Sequence, residues 1–458
     1  MHGRDDAWQR ITRHALVLLG GGTVSAIFAL GTLSITARAL LPVTFGALAI
    51  AQAYALLVER AGTFQSWQTL IRFGAIAREA GDDAAFRGLI RFGYHLDVAG
   101  GLVGAVGGVL IGALAGHALG WTAETRTMAI VYAASVLFRI SGTSLAVLRL
   151  HDRFDQTAIA RACAGLVRLV GSGIAALLHA DVGTFALIWM LGDLIPSAVM
   201  FVCARRALTD ARHTRATDAP LSLAAVRARY PELLGMFWTT NLHSTVKIVA
   251  RDADVLVAGI IGGPAVAGVV RIARQIGSAM GQLSDPLMQA IYPEMSSAAA
   301  AHRTATVRAL VVRAGLWGAS AGAAIVVTLW FVAPTVLTLA AGAEYVVGAP
   351  ALLAYAIAQA LSLATLAVSP ALLSLGRARE SFIALCVATG VYVLALFPAI
   401  RAMGASGAGW ALVLFQLCWG LMATRTLLRA TLPEADKGVD DDVHPPQSTS
   451  SQLETRAA

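Results

Sequence analysis

Apolar residues run along this chain in blocks of about twenty, separated by short polar or basic stretches. A helix needs about 20 mostly apolar residues to cross the hydrocarbon core of a bilayer. On that rule the pattern predicts twelve spans, at residues 14–37, 43–59, 94–118, 125–148, 156–179, 183–204, 232–261, 264–291, 309–333, 347–373, 381–400 and 405–424. The expected fold class is therefore an all-α integral membrane protein. Six spans precede a polar stretch at mid-chain and six follow it, which predicts two pseudo-symmetric six-helix lobes around a central cavity.

Two turns support the repeat. Pro42 and Gly46 open the second span, and Pro264 and Gly268 open the eighth with the same Pro-x-x-x-Gly spacing. Gln52 and Gln275 follow these turns one residue out of register. The expected division is a first lobe at 1–204, a basic cytoplasmic linker at 205–231, a second lobe at 232–430 and a disordered, turn-rich cytoplasmic tail at 431–458. Between the second and third spans, FQSWQTLIRFGAIA reads as an amphipathic segment lying in the membrane interface with Trp67 as its anchor.

Composition agrees with a membrane protein. Of 458 residues, 57% are hydrophobic and 14% charged, where soluble domains carry about 25% charged residues. The net charge of +8 invites a nucleic-acid reading, but the distribution of the cations argues against one. Of the 35 Lys and Arg, 25 fall in connections or at span ends on one side of the membrane, three on the other (Arg38, Arg126, Arg401), and seven deeper within spans. The positive-inside rule then places both termini in the cytoplasm. Cys163, Cys203, Cys386 and Cys418 show no paired spacing and read as small core hydrophobes. No P-loop, H-E-x-x-H or G-x-S-x-G pattern occurs, and the cytoplasmic connections are too short for a glycosyltransferase domain, so no enzyme is expected.

Chemistry concentrates in the seventh and eighth spans. A charge at the bilayer centre costs roughly 2.5–3.5 kcal/mol on insertion scales, yet Lys247, Arg251, Asp252, Asp254, Arg271 and Arg274 all lie there. Lys247, Arg251 and Asp254 are spaced i, i+4, i+7 and share one helical face, which Thr240, His243 and Ser244 extend. Asp252 lies about 140° round from Lys247 at about 100° per residue. Arg271, Arg274, Gln275, Ser278, Gln282 and Asp285 form a second stripe. Two such stripes on neighbouring antiparallel helices predict a shared wet cavity. Its net positive charge, to which Arg139 and Arg168 of the first lobe would add, fits an anionic cargo, since Arg forks match phosphate oxygens. The competing reading is that these charges pair only among themselves and hold helices together.

Asp193, mid-way along the sixth span beside Gly192 and Pro196, reads equally as a proton carrier or as a helix-packing carboxylate. Arg38 and Glu59 at span ends, and His95 and Asp97 at the start of the third span, read as boundary residues. Trp121, Trp189, Trp317, Trp330 and Trp410 read as an interfacial or lipid-facing belt.

Several stretches resemble a known family: TARALLPVTFGALAIAQAY, FQSWQTLIRFG, LRLHDRFDQTAIARACAGLVRLVG, RDADVLVAGIIGGPAVAGVVRIARQI, LSDPLMQAIYPEMS, AGAEYVVGAPALL and LLSLGRARE. Taken in order they are similar to bacterial polysaccharide-biosynthesis flippases, the lipid-linked oligosaccharide translocases of the multidrug/oligosaccharidyl-lipid/polysaccharide exporter superfamily. The resemblance implies two lobes alternating between inward-open and outward-open states. It implies an undecaprenyl-diphosphate-linked glycan as cargo, moved across a bacterial inner membrane. A polysaccharide polymerase and glycosyltransferases are the expected partners. Asp254 matches the family's Asp, Gly263-Pro264 its outer turn and Pro293 the end of the eighth span. Val269-Val270 departs from it, standing where an aromatic is usual.

Lys247, Arg251, Arg271, Arg274, Arg139, Arg168 and Gln275 are then the expected substrate-binding residues. Asp254, Asp252 and Asp193 are the candidates for coupling to a proton or sodium gradient, and no bound cofactor or metal is expected. A drug/cation antiporter of the same fold would favour an acidic cavity, and a scaffold of a polysaccharide assembly complex would carry no cargo; both stay open as alternatives.

Overall fold

The computed structural model describes residues 25–62, 66–212, 221–281, 284–301 and 303–431, and of these all side chains but those of 211–212, 238–252, 280, 284–287, 289, 290, 292 and 293. The described residues are helical, with no strand among them. The helices are α1 (Ser25–Ala39), then α2 (Pro42–Gly62), α3 (Ser66–Glu79), α4 (Asp83–Ala115), α5 (Ala123–Ser135), α6 (Gly142–Leu150), α7 (Phe154–Leu177) and α8 (Val182–Arg212). After the mid-chain stretch come α9 (Leu223–Arg229), α10 (Leu233–Gly281), α11 (Ser284–Ala300), α12 (Thr304–Ala340), α13 (Ala349–Ala364), α14 (Val368–Ser374), α15 (Ala378–Met403) and α16 (Ala405–Thr431).

Ten stretches among the described residues are long and apolar enough to cross a membrane. One of them, Ala253–Ala279, is folded in two. At Gly263 the backbone takes φ 78°, ψ 179°, a conformation that an L side chain resists. The arms on either side then run back along each other: a Cβ on Gly259 would stand 3.6 Å from the Cβ of Ala267. Counting these arms separately and adding α1 brings the crossings to twelve. The turn expected at Gly262–Pro264 is thus present inside one continuous helical run.

α2 is the centre of the bundle. Every residue from Phe45 to Ala55 is buried, the pattern of a helix covered on all sides, and its largest contact is with α10. The two Pro-x-x-x-Gly turns interlock there. Gly46 lies against the Pro264 carbonyl, and Gly268 lies against the Pro42 carbonyl and Phe45. This is a reciprocal contact between pseudo-equivalent positions, as across a two-fold axis. Phe45 fills the seam edge-on to Trp189 (6.3 Å) and Tyr345 (6.0 Å). Arg38 donates to the Thr338 carbonyl (3.1 Å) and the Leu339 carbonyl at the end of α12.

Packing differs at the two ends. At the Pro42/Gly263 end one core contains α1, α2, α5, α8, α10, α12, α13, α15 and α16. At the opposite end the described buried residues form two cores. One joins α3, α4, α6, α8, α9 and the start of α10, and the other joins α11, α12, α14 and α16. Among the described residues the halves thus share one core at the Pro42/Gly263 end, and two cores form at the other.

Several local readings change. The expected interfacial segment is the amphipathic α3, but Ser66, Thr69, Leu70, Phe73, Gly74 and Ala77 on its inner face are buried, covered by α4 and α6. Trp67 carries the Arg149 guanidinium on its ring at 4.2 Å. Both ends of the expected linker are helical: α8 runs on to Arg212, and α9 seats Val226 against Gly88 of α4. Trp317, Trp330 and Trp410 are exposed as a lipid-facing belt requires, whereas Trp121 and Trp189 are buried. Trp189 donates to the Thr36 hydroxyl (3.3 Å), and Trp121 packs on Tyr54.

Asp97 is buried, not a boundary residue. Its carboxylate accepts from the Ser66 hydroxyl (2.7 Å) and from the N–H of Thr143 (2.7 Å) at the start of α6. It therefore caps that helix and ties α3 to it. Gly142 leaves room for it, since a Cβ there would meet Asp97 Oδ1 at 3.2 Å. Asp97→Ala is expected to lower stability by about 1–3 kcal/mol, because two buried donors lose their acceptor. Thermal unfolding of the purified protein in detergent measures this, and an unchanged midpoint would remove the role.

Candidate functional site

The span holding Arg139 is not a continuous helix. α5 ends at Ser135, a 3-10 turn covers Val136–Phe138, and α6 starts only at Gly142. The break turns Arg139 inward, where it is 2% exposed. Its guanidinium donates to Glu59 of α2 (2.9 Å) and to Asp193 of α8 (3.0 Å). The other oxygen of Asp193 receives Arg168 of α7. Arg168 reaches it by crossing α8 at Gly192, and its Nε donates to the Trp189 carbonyl (3.3 Å). Three helices of the first half (α2, α7 and α8) and the break between α5 and α6 are thus joined. Glu59, expected at a boundary, is part of this cluster.

The second half builds its own cluster on the α10 hairpin. Asp254 on the first arm is 2% exposed and accepts from Arg274 on the second arm (2.6 Å). It also accepts from the buried Tyr355 hydroxyl of α13 and from the Val255 N–H (2.8 Å). One turn away, Arg271 donates to Gln52 of α2 (3.0 Å), a bond that spans the two halves. Tyr132 of α5 stands within electrostatic reach of Arg139, Arg168 and Arg271 together. Gln275 is half-buried next to Arg274. Lys247, Arg251 and Asp252 belong to the first arm of α10, but their side chains lie outside the described residues, as do those of Thr240, His243, Ser244, Gln282 and Asp285.

The repeat also places the clusters relative to each other. Pro42 and Pro264, like Gly46 and Gly268, are 222 residues apart. The same offset sets Thr32 against Asp254 and Gln52 against Arg274. Where the second half has a buried ion pair, the first has a neutral hydroxyl and a neutral amide. The Thr32 hydroxyl is buried without a hydrogen-bond partner among the described residues. Arg271 and Arg274 thus bring two guanidiniums to the seam with α2, where Gln52 and Asp254 receive them.

Sequence reasoning missed Glu59, Gln52 and Tyr355 as members of these clusters. Tyr355 had a usable signal: a tyrosine inside a run as apolar as 349–364 needs an acceptor when buried. Gln52 was visible only as a mark of the repeat.

A family model described as polysaccharide biosynthesis protein matches residues 11–299. The chain belongs to that family. This polysaccharide biosynthesis protein is 28% identical over 342 residues to "Inner membrane protein YghQ" of Escherichia coli (strain K12), covering 74% of this chain and 95% of the relative. Its fold is similar to that of "Lipid II flippase MurJ, inward closed conformation", with a TM-score of 0.71 at 13% identity over 91% of this chain and 90% of that one. It is also similar to an inward-facing multidrug resistance MATE family transporter of the MOP superfamily, with a TM-score of 0.58 at 16% identity over 91% of this chain and 96% of that one. The polysaccharide biosynthesis family thus has, in this member, the multi-pass helical fold of MOP-superfamily transporters.

Proposed function

We propose that the protein carries an undecaprenyl-diphosphate-linked oligosaccharide from the inner to the outer leaflet by alternating access. The observation that carries this reading is the pair of guanidiniums, Arg271 and Arg274, that α10 brings to its contact with α2 between the halves. A diphosphate would settle on Arg271 and Arg274, with Arg168 approaching from the first half and Lys247 and Arg251 extending the same helix toward the cytoplasm. Sugars would hydrogen-bond in the wet cavity, and the prenyl tail would stay in lipid. The family assignment supports a polysaccharide intermediate as cargo. The 25-to-3 division of Lys and Arg supports cytoplasmic termini.

The two cores at the linker end then form the mouth that receives the cargo. The same reading assigns gradient coupling to Asp254, Asp252 or Asp193. Asp193 and Asp254 each hold a guanidinium in this state.

The test is export of surface polysaccharide by a flippase-deficient strain carrying the protein. Arg271 and Arg274 are reversed to Glu, with Gln at both as the milder pair, and insertion is confirmed in each case. Export is expected to fall at least about tenfold, the loss of one to two charged hydrogen bonds. Undiminished export by either inserted pair would sink the assignment.

A further inference from the structure

We infer that Arg139 is a structural tie and not a ligand of the cargo. It joins α2 to α8 through Glu59 and Asp193.

The geometry sets a carboxylate against each terminal nitrogen of Arg139, and its Nε is buried without a hydrogen-bond partner among the described residues. Nη1 is held by Glu59 at 2.9 Å, and Nη2 by Asp193 at 3.0 Å with the Ser135 hydroxyl at 3.4 Å. A bidentate grip on phosphate needs two N–H groups along one edge, and both terminal nitrogens are already occupied by carboxylates. The residue also lies at the back of its cluster. Its side chain is 2% exposed, against 24% for Arg168 and 26% for Glu59.

Charge leads the same way. Within this cluster Arg139 and Arg168 face Glu59 and Asp193, one carboxylate for each guanidinium. A buried set of this kind resists the loss of one member far more than its replacement by a neutral set of similar size.

The tie reaches Arg168 through Asp193, whose two oxygens take one arginine each. The approach is narrow. A Cβ on Gly192 would come within 2.2 Å of Arg168 Cγ, so the stem of Arg168 lies directly on the α8 backbone. With Arg139 gone, Asp193 is released on one side, and Glu59 and Asp193 are short of one positive charge between them.

The experiment compares Arg139→Gln, the pair Arg139→Gln with Glu59→Gln, and Arg271→Gln, each purified in detergent. The readouts are the thermal unfolding midpoint and binding of undecaprenyl diphosphate in mixed micelles; the binding readout rests on the function proposed above. Arg139→Gln alone is expected to unfold at a lower temperature. The pair, which keeps the remaining charges balanced, is expected to regain the wild-type midpoint and bind the lipid within about twofold of wild type, whereas Arg271→Gln binds at least about tenfold more weakly.

A pair with the wild-type midpoint but tenfold weaker binding would make Arg139 a ligand and overturn the inference. So would a pair that stays as unstable as Arg139→Gln, or a single variant as stable as wild type. If the wild-type protein binds no prenyl diphosphate, the proposed cargo fails, and the unfolding midpoints still decide whether the tie exists.

Discussion

Gly46→Ala is expected to wedge the two halves apart at the Pro42/Gly263 end. A Cβ at Gly46 would fall 1.7 Å from the Pro264 carbonyl oxygen and 2.3 Å from its carbon. Both atoms are backbone in a turn already fixed by the positive φ of Gly263, so no side chain can rotate out of the way. Overpacking of a tight core costs typically about 1–3 kcal/mol where neighbours can shift. Here the only relief is separation of α2 from α10.

Gly268→Ala is the matched control, because a Cβ there would stand 3.1 Å from the Pro42 carbonyl oxygen, an overlap that a few tenths of an ångström relieve. In a cysteine-free background, a cysteine at Ala267, which is fully buried at the seam, reports on separation through labelling by a membrane-impermeant maleimide. Labelling is expected to rise several-fold with Gly46→Ala and little with Gly268→Ala, and export is expected to fall to background only with the first. Equal labelling and export in the two variants would show that the interlock does not hold the halves together.

That contact also marks how far the sequence could be read. The two Pro-x-x-x-Gly turns were legible as a repeat, because proline and glycine carry their backbone preferences with them. Their mutual contact was not, since it depends on which surfaces meet. Hydropathy located the crossings, but it placed the third span at residue 94, where α4 begins at Asp83. The first turns of α4 bury Ala85, Phe86, Leu89 and Ile90 against protein, so Arg87 and Arg91 on the other face lowered the apolar count without ending the helix.

Glu59 and Asp97 were misread for a related reason. Position in the chain gives an approximate depth, whereas burial is decided by the partner, and their partners (Arg139, Ser66 and Thr143) are 80, 31 and 46 residues away. The break at Ser135–Ser141 carries no proline to announce it. The charges on α10 were legible as an improbability, and the spacing placed Arg271 and Arg274 on one stripe; it could not show that Asp254 takes Arg274 and Arg271 takes Gln52.

Asp254→Ala is expected to be among the most damaging single substitutions in the second half. The carboxylate is the common acceptor for Arg274, the Tyr355 hydroxyl and the Val255 N–H. Deleting it removes the counter-charge from a guanidinium that is 15% exposed and the acceptor from a buried phenol. Breaking a buried pair from one side costs about 3–5 kcal/mol. Asp254→Asn keeps one acceptor oxygen and should cost about 1–3 kcal/mol, with Tyr355→Phe below it at about 1 kcal/mol.

Thermal unfolding should therefore rank the variants in that order, and a Tyr355→Phe as unstable as Asp254→Ala would contradict it. The neutral pair Asp254→Asn with Arg274→Gln then separates stability from transport. It should recover most of the unfolding midpoint, because no buried charge is left without its partner, and yet export should stay low, because a cation facing the cargo is gone. The neutral pair at Glu59 and Arg139 should recover both. Two buried arginine–carboxylate clusters of similar appearance would then do different work, one holding the first half in shape and the other presenting charge at the seam.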